Sequence, residues 1–221
     1  MTPHAPAAVI FDLDGVLVDS ETVWDDARRE LVERRGGTWR DDAQQAMMGM
    51  SSVEWSRYMR DELGVPMPPD AISVAVVANL EERYRERLPL IPGAREAVMR
   101  LAARWPLGLA SSANRSIIEL VLREAGLAEC FEATVSSEEV ARGKPAPDVY
   151  LEAARRLNSD PARCVAIEDS SNGLRAAAAA GMRVIAIPNG AFPPDPDALA
   201  LAGVVLESID ELGFELLDAA A

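Results

Sequence analysis

A chain of 221 residues, 49% of them hydrophobic, can bury one large core or a core with a smaller insertion, and no stretch is apolar for long enough to cross a membrane. A formal charge of −14 sets the surface against nucleic acid and anionic membranes but leaves a small anionic substrate open, because one lysine and a metal can reverse the potential inside a narrow site. Two cysteines, Cys130 and Cys164, give neither a disulfide scaffold nor zinc-site spacing and are expected as buried thiols, while the single histidine, His4, lies beside the terminus, so acid–base work falls to carboxylates.

The N-terminus carries no basic start followed by an apolar stretch, and a cytoplasmic location is expected. Residues 7–11 form a short apolar run, expected as a buried strand, that stops at Asp12-Leu13-Asp14-Gly15. Two carboxylates would then emerge at a strand's C-terminal end, where open α/β sheets carry their sites. Anions this close repel unless a cation or a shared proton compensates, and a divalent metal is the leading candidate. Taken alone, the four residues could equally be an Asx-type turn. A calcium loop fails, since Gly15 is fourth rather than sixth and Val23 stands where a glutamate belongs.

From about Ser20 to Leu88 the chain turns charged and helical, with helices expected over 21–36, 41–48, 51–63 and 70–87, broken at Gly36-Gly37, at Gly49 and over 64–69. After Pro92 strand and helix signals alternate: strands over 107–111, 133–136, 164–167 and 184–187, helices over 93–104, 114–125, 145–157 and 172–180. The alanine run 176–180 suits close helix–sheet packing, and 192–197 reads as a Pro-rich loop. The fold class is α/β: a Rossmann-like parallel sheet with helices on both faces, formed by 1–19 and 90–221, plus an inserted all-helical cap over 20–89. Hinges are expected near 18–21 and 89–93, and no internal repeat is visible.

Three later strand ends carry polar residues. Ser111-Ser112-Ala113-Asn114 could hold a phosphate with hydroxyls and amides, or simply cap a helix. Lys144 sits in a turn stiffened by Pro145 and Pro147, where its ammonium could offset a phosphate or the Asp12 carboxylate. Glu168-Asp169 ends another apolar run, and Asp12 with Asp169 would offer Mg²⁺ hard oxygen ligands; capping by Asp169 or Ser170 is the alternative.

The set Asp12-Leu13-Asp14-Gly15-Val16-Leu17-Val18-Asp19-Ser20-Glu21, Ser111, Gly143-Lys144-Pro145-Ala146-Pro147-Asp148 and Glu168-Asp169-Ser170 resembles, in order, the haloacid dehalogenase superfamily. The cap is similar to the helical-cap branch with β-phosphoglucomutase and sugar-phosphate phosphatases. The resemblance implies a catalytic set of Asp12 as nucleophile, Asp14 as acid and base and Lys144; phosphate contacts from Ser111, Ser112, Asn114 and Lys144; and Mg²⁺ held by Asp12, Asp14 (through its carbonyl), Glu168 and Asp169. A second aspartate at 14 separates the chain from dehalogenases.

The expected activity is hydrolysis of a small phosphorylated metabolite, a sugar or polyol phosphate, by a monomer or weak homodimer. A phosphomutase and a non-catalytic binding module are the alternatives. β-Phosphoglucomutases usually carry a histidine early in the first cap helix and a basic residue in the cap loop; here Trp24 and the loop around Met48-Gly49-Met50 offer neither, which weighs against the mutase. Trp24 is open between plain packing and a wall of the site.

Overall fold

The computed structural model describes residues 5–48 and 50–219; His4 and Gly49 lie outside them. Six parallel strands, β1 (Ala8–Phe11), β2 (Leu107–Ser111), β3 (Ala133–Ser136), β4 (Cys164–Glu168), β5 (Arg183–Ala186) and β6 (Val204–Val205), form one sheet in the order β3-β2-β1-β4-β5-β6. Val9 is paired with Leu107 on one side and Val165 on the other, so β1 is central. Every residue of β1, β2 and β4 is buried, which explains continuous apolar runs in place of alternation. The chain moves outward from β1 through β2 to β3, then crosses back to β4. That reversal opens a crevice at the carboxyl ends of β1, β2 and β4.

Successive residues of β1 serve opposite faces. Val9 and Phe11 join a core with α5 (Ala94–Ala102) and α6 (Arg115–Glu124), whereas Ala8 and Ile10 meet α7 (Asp148–Arg156) and α8 (Ser171–Ala179). Ala176 and Ala177 are fully buried there, matching the close packing expected of the alanine run.

Between β1 and α5 lie four helices, α1 (Glu21–Arg34), α2 (Ala43–Met47), α3 (Ser52–Asp61) and α4 (Pro69–Glu86). Trp55, Ile72, Val76, Leu80 and Tyr84 form their buried centre. α3 starts in a capping box, with the Ser51 backbone amide donating to Glu54 Oε2 at 2.8 Å. The chain enters and leaves this helical segment side by side: the Asp19 amide donates to the Pro89 carbonyl, and the Ile91 amide to that of Leu17.

Two expectations need correction, and two elements stand beyond those expected. Residues 192–197 are not wholly loop, because α9 (Pro196–Leu199) begins at Pro196, a residue suited to a helix's first position. Both β6 and α10 (Phe214–Ala219) are further elements. Cys130 is only half-buried, although Cys164 is buried. No helix among the described residues is long and apolar enough to cross a membrane.

Candidate active site

Asp12 leaves β1 with its backbone amide donating to the Ile167 carbonyl of β4 at 3.0 Å, which fixes it beside the end of that strand. Lys144, from the β3–α7 connection, reaches in at 5% exposure; Nζ donates to Asp12 Oδ1 at 2.7 Å and to Glu168 Oε1 at 2.6 Å. The Tyr150 ring lies 5.0 Å from that ammonium, and its hydroxyl donates to Glu168 Oε1 at 2.9 Å. Residues separated by more than 130 positions thus share one buried ion cluster.

Oxygens of Asp12, Glu168 and Asp169 lie within 4.8 Å of one another. Three buried carboxylates face one ammonium, an excess of negative charge that suits a divalent cation. Burial pushes the Asp12 carboxyl up to about 8, overriding the opposing pull of Lys144, and Glu168 and Asp14 push the same way. Asp169 is also raised, first by burial and then by Glu168 and Asp12. Lys144 is raised despite its burial, because it answers two carboxylates at once.

Glu168 belongs to this metal-capable group and is also the most heavily hydrogen-bonded of its carboxylates. Its Oε1 accepts from Lys144 and Tyr150, and its Oε2 from the Asp169 amide, the Ser170 amide and the Ser170 hydroxyl, at 2.6–3.1 Å. These bonds brace Lys144 and the backbone beneath Asp169. A Cβ at Gly173 would lie 1.7 Å from Glu168 Oε1, so glycine there makes room for that carboxylate. Asp169 Oδ1 by contrast is buried with no partner. Ser170, not Asp169, caps α8 by accepting from the Gly173 amide at 3.1 Å, which leaves the Asp169 carboxylate to the cluster. Gly15, at φ +80°, brings bare backbone against that carboxylate: a Cβ would fall 1.9 Å from Asp169 Oδ2.

Asp14 Oδ1 accepts from the Ser20 hydroxyl at 2.6 Å and from the Trp24 indole N–H at 3.1 Å. The acid–base candidate is therefore oriented by two donors at the start of α1. Trp24 meets both roles open in the sequence: it lines the cavity and packs in the core against Trp55.

The phosphate-contact candidates divide. Ser112, Ala113 and Lys144 line a cavity of about 50 Å³ together with Asp12, Asp14 and Asp169. Ser111 is fully buried just behind it, its hydroxyl accepting the Ala113 amide at 2.9 Å. Asn114 turns away: its amide donates to Glu138 at 2.6 Å, and it lines a separate groove with α3 and α4. Its position before α6 makes it a helix-start residue rather than a wall of the catalytic cavity.

Sequence reasoning passed over Arg28, Gln44, Trp55 and Tyr150. Arg28, Trp55, Met48 and Met50 line the cavity from the helical side, and Glu21 carries a carboxyl pushed up to about 7 by burial and by Asp14.

A profile of haloacid dehalogenase-like hydrolases matches residues 6–181, and the chain belongs to that family. It is a phosphatase of this kind. Hexitol phosphatase B of Escherichia coli K12 is 37% identical over 215 residues, 96% of each chain. CbbY of Rhodobacter sphaeroides, solved with bound phosphate, is 30% identical with a TM-score of 0.84 over 94% of this chain and 96% of its own. A putative β-phosphoglucomutase from Thermotoga maritima, 30% identical, reaches 0.73 over 97% and 99%.

Proposed function

We propose that the protein is a Mg²⁺-dependent phosphatase that hydrolyses a small sugar or polyol phosphate through an aspartyl-phosphate on Asp12. The observation that carries this reading is the buried cluster of Asp12, Lys144, Glu168 and Asp169 opening onto the same cavity as Asp14. Its similarity to hexitol phosphatase B supports the substrate class.

Asp12 and Asp169, with the Asp14 carbonyl, would hold the metal; the unpartnered Asp169 Oδ1 and the side-chain-free Gly15 beside it fit that role. Mg²⁺ bound there supplies positive charge against the carboxylates and the oxygens of the transferring group. An Asp12 oxygen attacks phosphorus in line as the ester P–O bond breaks, and Asp14 delivers its proton to the departing alkoxide. Asp14, now ionised, takes a proton from the water that attacks the same phosphorus and frees Asp12. Ser20 and Trp24 orient Asp14 for both transfers, while Lys144, braced by Glu168, holds charge beside the nucleophile.

A screen of phosphate release over phosphorylated metabolites with Mg²⁺ tests the reading, and release must vanish in Asp12→Asn. Glucose 1-phosphate with a bisphosphate activator separates the mutase: conversion to glucose 6-phosphate without free phosphate contradicts the proposal.

A further inference from the structure

On the helical side of the cavity stands a cation that the reaction above does not use. Arg28 is 5% exposed, its guanidinium carbon 4.8 Å from the Trp24 ring centroid and 5.2 Å from that of Trp55. It lies against both indoles, Trp24 from α1 and Trp55 from α3, whose centroids are 6.0 Å apart and whose planes are tilted by 60°. Its hydrogen bonding is sparse: Nη1 donates to Gln44 Oε1 at 3.3 Å, and Nε is buried without a partner.

No carboxylate among the described residues lies within ion-pair distance of Arg28. Glu21, on α1, accepts from Gln44 Nε2 at 2.7 Å. Gln44 therefore ties Glu21 and Arg28 together while keeping the carboxylate off the guanidinium. Burial disfavours this charge, and Glu21, Asp14 and Asp25 offset it from a distance without touching it, which leaves Nε of the fork open to a direct anionic partner. The planar fork matches a carboxylate or phosphate in two parallel bonds, whereas a hydroxyl would take only one of its donors.

We infer that Arg28 receives a second anionic group of the substrate, remote from the phosphoryl group transferred to Asp12. The substrate would then be a small phosphorylated sugar acid or a bisphosphate rather than a neutral polyol monophosphate. This rests on the phosphatase reading and narrows it.

Two matched pairs test it with Mg²⁺: glycerol 3-phosphate against 3-phosphoglycerate, and fructose 1-phosphate against fructose 1,6-bisphosphate. The anion-ended member of one pair should show kcat/KM about 10- to 100-fold higher, and which pair responds distinguishes carboxylate from phosphate. Arg28→Met should collapse the preference through KM, and Arg28→Lys, which keeps charge without the fork, should retain part of it and covers the case in which the methionine variant does not fold. Equal rates within both pairs in the wild type, or a preference surviving in the variants, overturns the inference while leaving the phosphatase reading standing. If none of the four is turned over, binding to Asp12→Asn, read from tryptophan fluorescence, decides the point: the anion-ended member must still bind tighter, and equal binding overturns it.

Discussion

Glu168→Gln separates a buttress from a metal ligand. The carboxylate accepts on both oxygens, so an amide must turn its NH₂ toward donors whichever way it lies. The cheaper orientation places Nε2 at the Oε1 position, where Tyr150 can rotate its hydroxyl to accept but Lys144 has only hydrogens to offer. One charge-assisted bond is lost, about 1.5–3 kcal/mol, and the lysine keeps Asp12 alone. For a chain of this length that is a fall of about 3–12 °C in Tm. Removing one of three crowded carboxylates relieves repulsion and places the result toward the lower end. Turnover should fall at least about tenfold as Lys144 loosens. Mg²⁺ affinity, measured by calorimetric titration, should change far less than in Asp169→Asn. Equal loss of Mg²⁺ affinity in the two variants would refute the buttress and restore Glu168 as a ligand.

Gly15→Ala forces a left-handed residue against Asp169, so it should cost about 1–2 kcal/mol in denaturant unfolding and weaken Mg²⁺ binding; unchanged Mg²⁺ titration would remove Gly15 from the account. Trp24→Phe keeps the ring beneath Arg28 but deletes the donor to Asp14, and should lower kcat about tenfold with Mg²⁺ affinity retained. Glu21 has a folded-state carboxyl near 7 against 4.5 in the unfolded chain, so the folded state holds its proton longer and loses stability as pH rises from about 4.5 through 7. Glu21→Gln should abolish that loss, at most about 3 kcal/mol, giving a variant more stable than the wild type at pH 8; identical pH–stability curves would contradict the burial assigned to Glu21.

Where a segment's fate depends on its own residues, the sequence is a sufficient guide. The long buried strands announce themselves as apolar runs ending in turn residues, and the acid pairs and Lys144 stand in family order. β6 spans only Val204–Val205, too short to leave a pattern. Arg28 lies in the charged stretch Asp25-Asp26-Ala27-Arg28-Arg29-Glu30, which reads as a solvated helix face; Trp55 and Gln44, brought in from other helices, cover it. Adjacent acids at 168 and 169 look alike as letters. Their surroundings differ because the backbone turn after β4 directs amides onto Glu168 and leaves Asp169 Oδ1 unpartnered. Asn114 shares its neighbours' polarity, yet Glu138 on the far side of the helix start draws its amide out of the cavity.

The most direct test of the central claim is to mix enzyme, Mg²⁺ and a substrate found by the phosphate-release screen, quench in acid within one turnover, and map the peptides by mass spectrometry. A phosphoryl group on Asp12, absent from Asp12→Asn, is the predicted result. Full turnover with unmodified Asp12 at every quench time, or phosphate on another residue, would contradict the nucleophile on which the account rests.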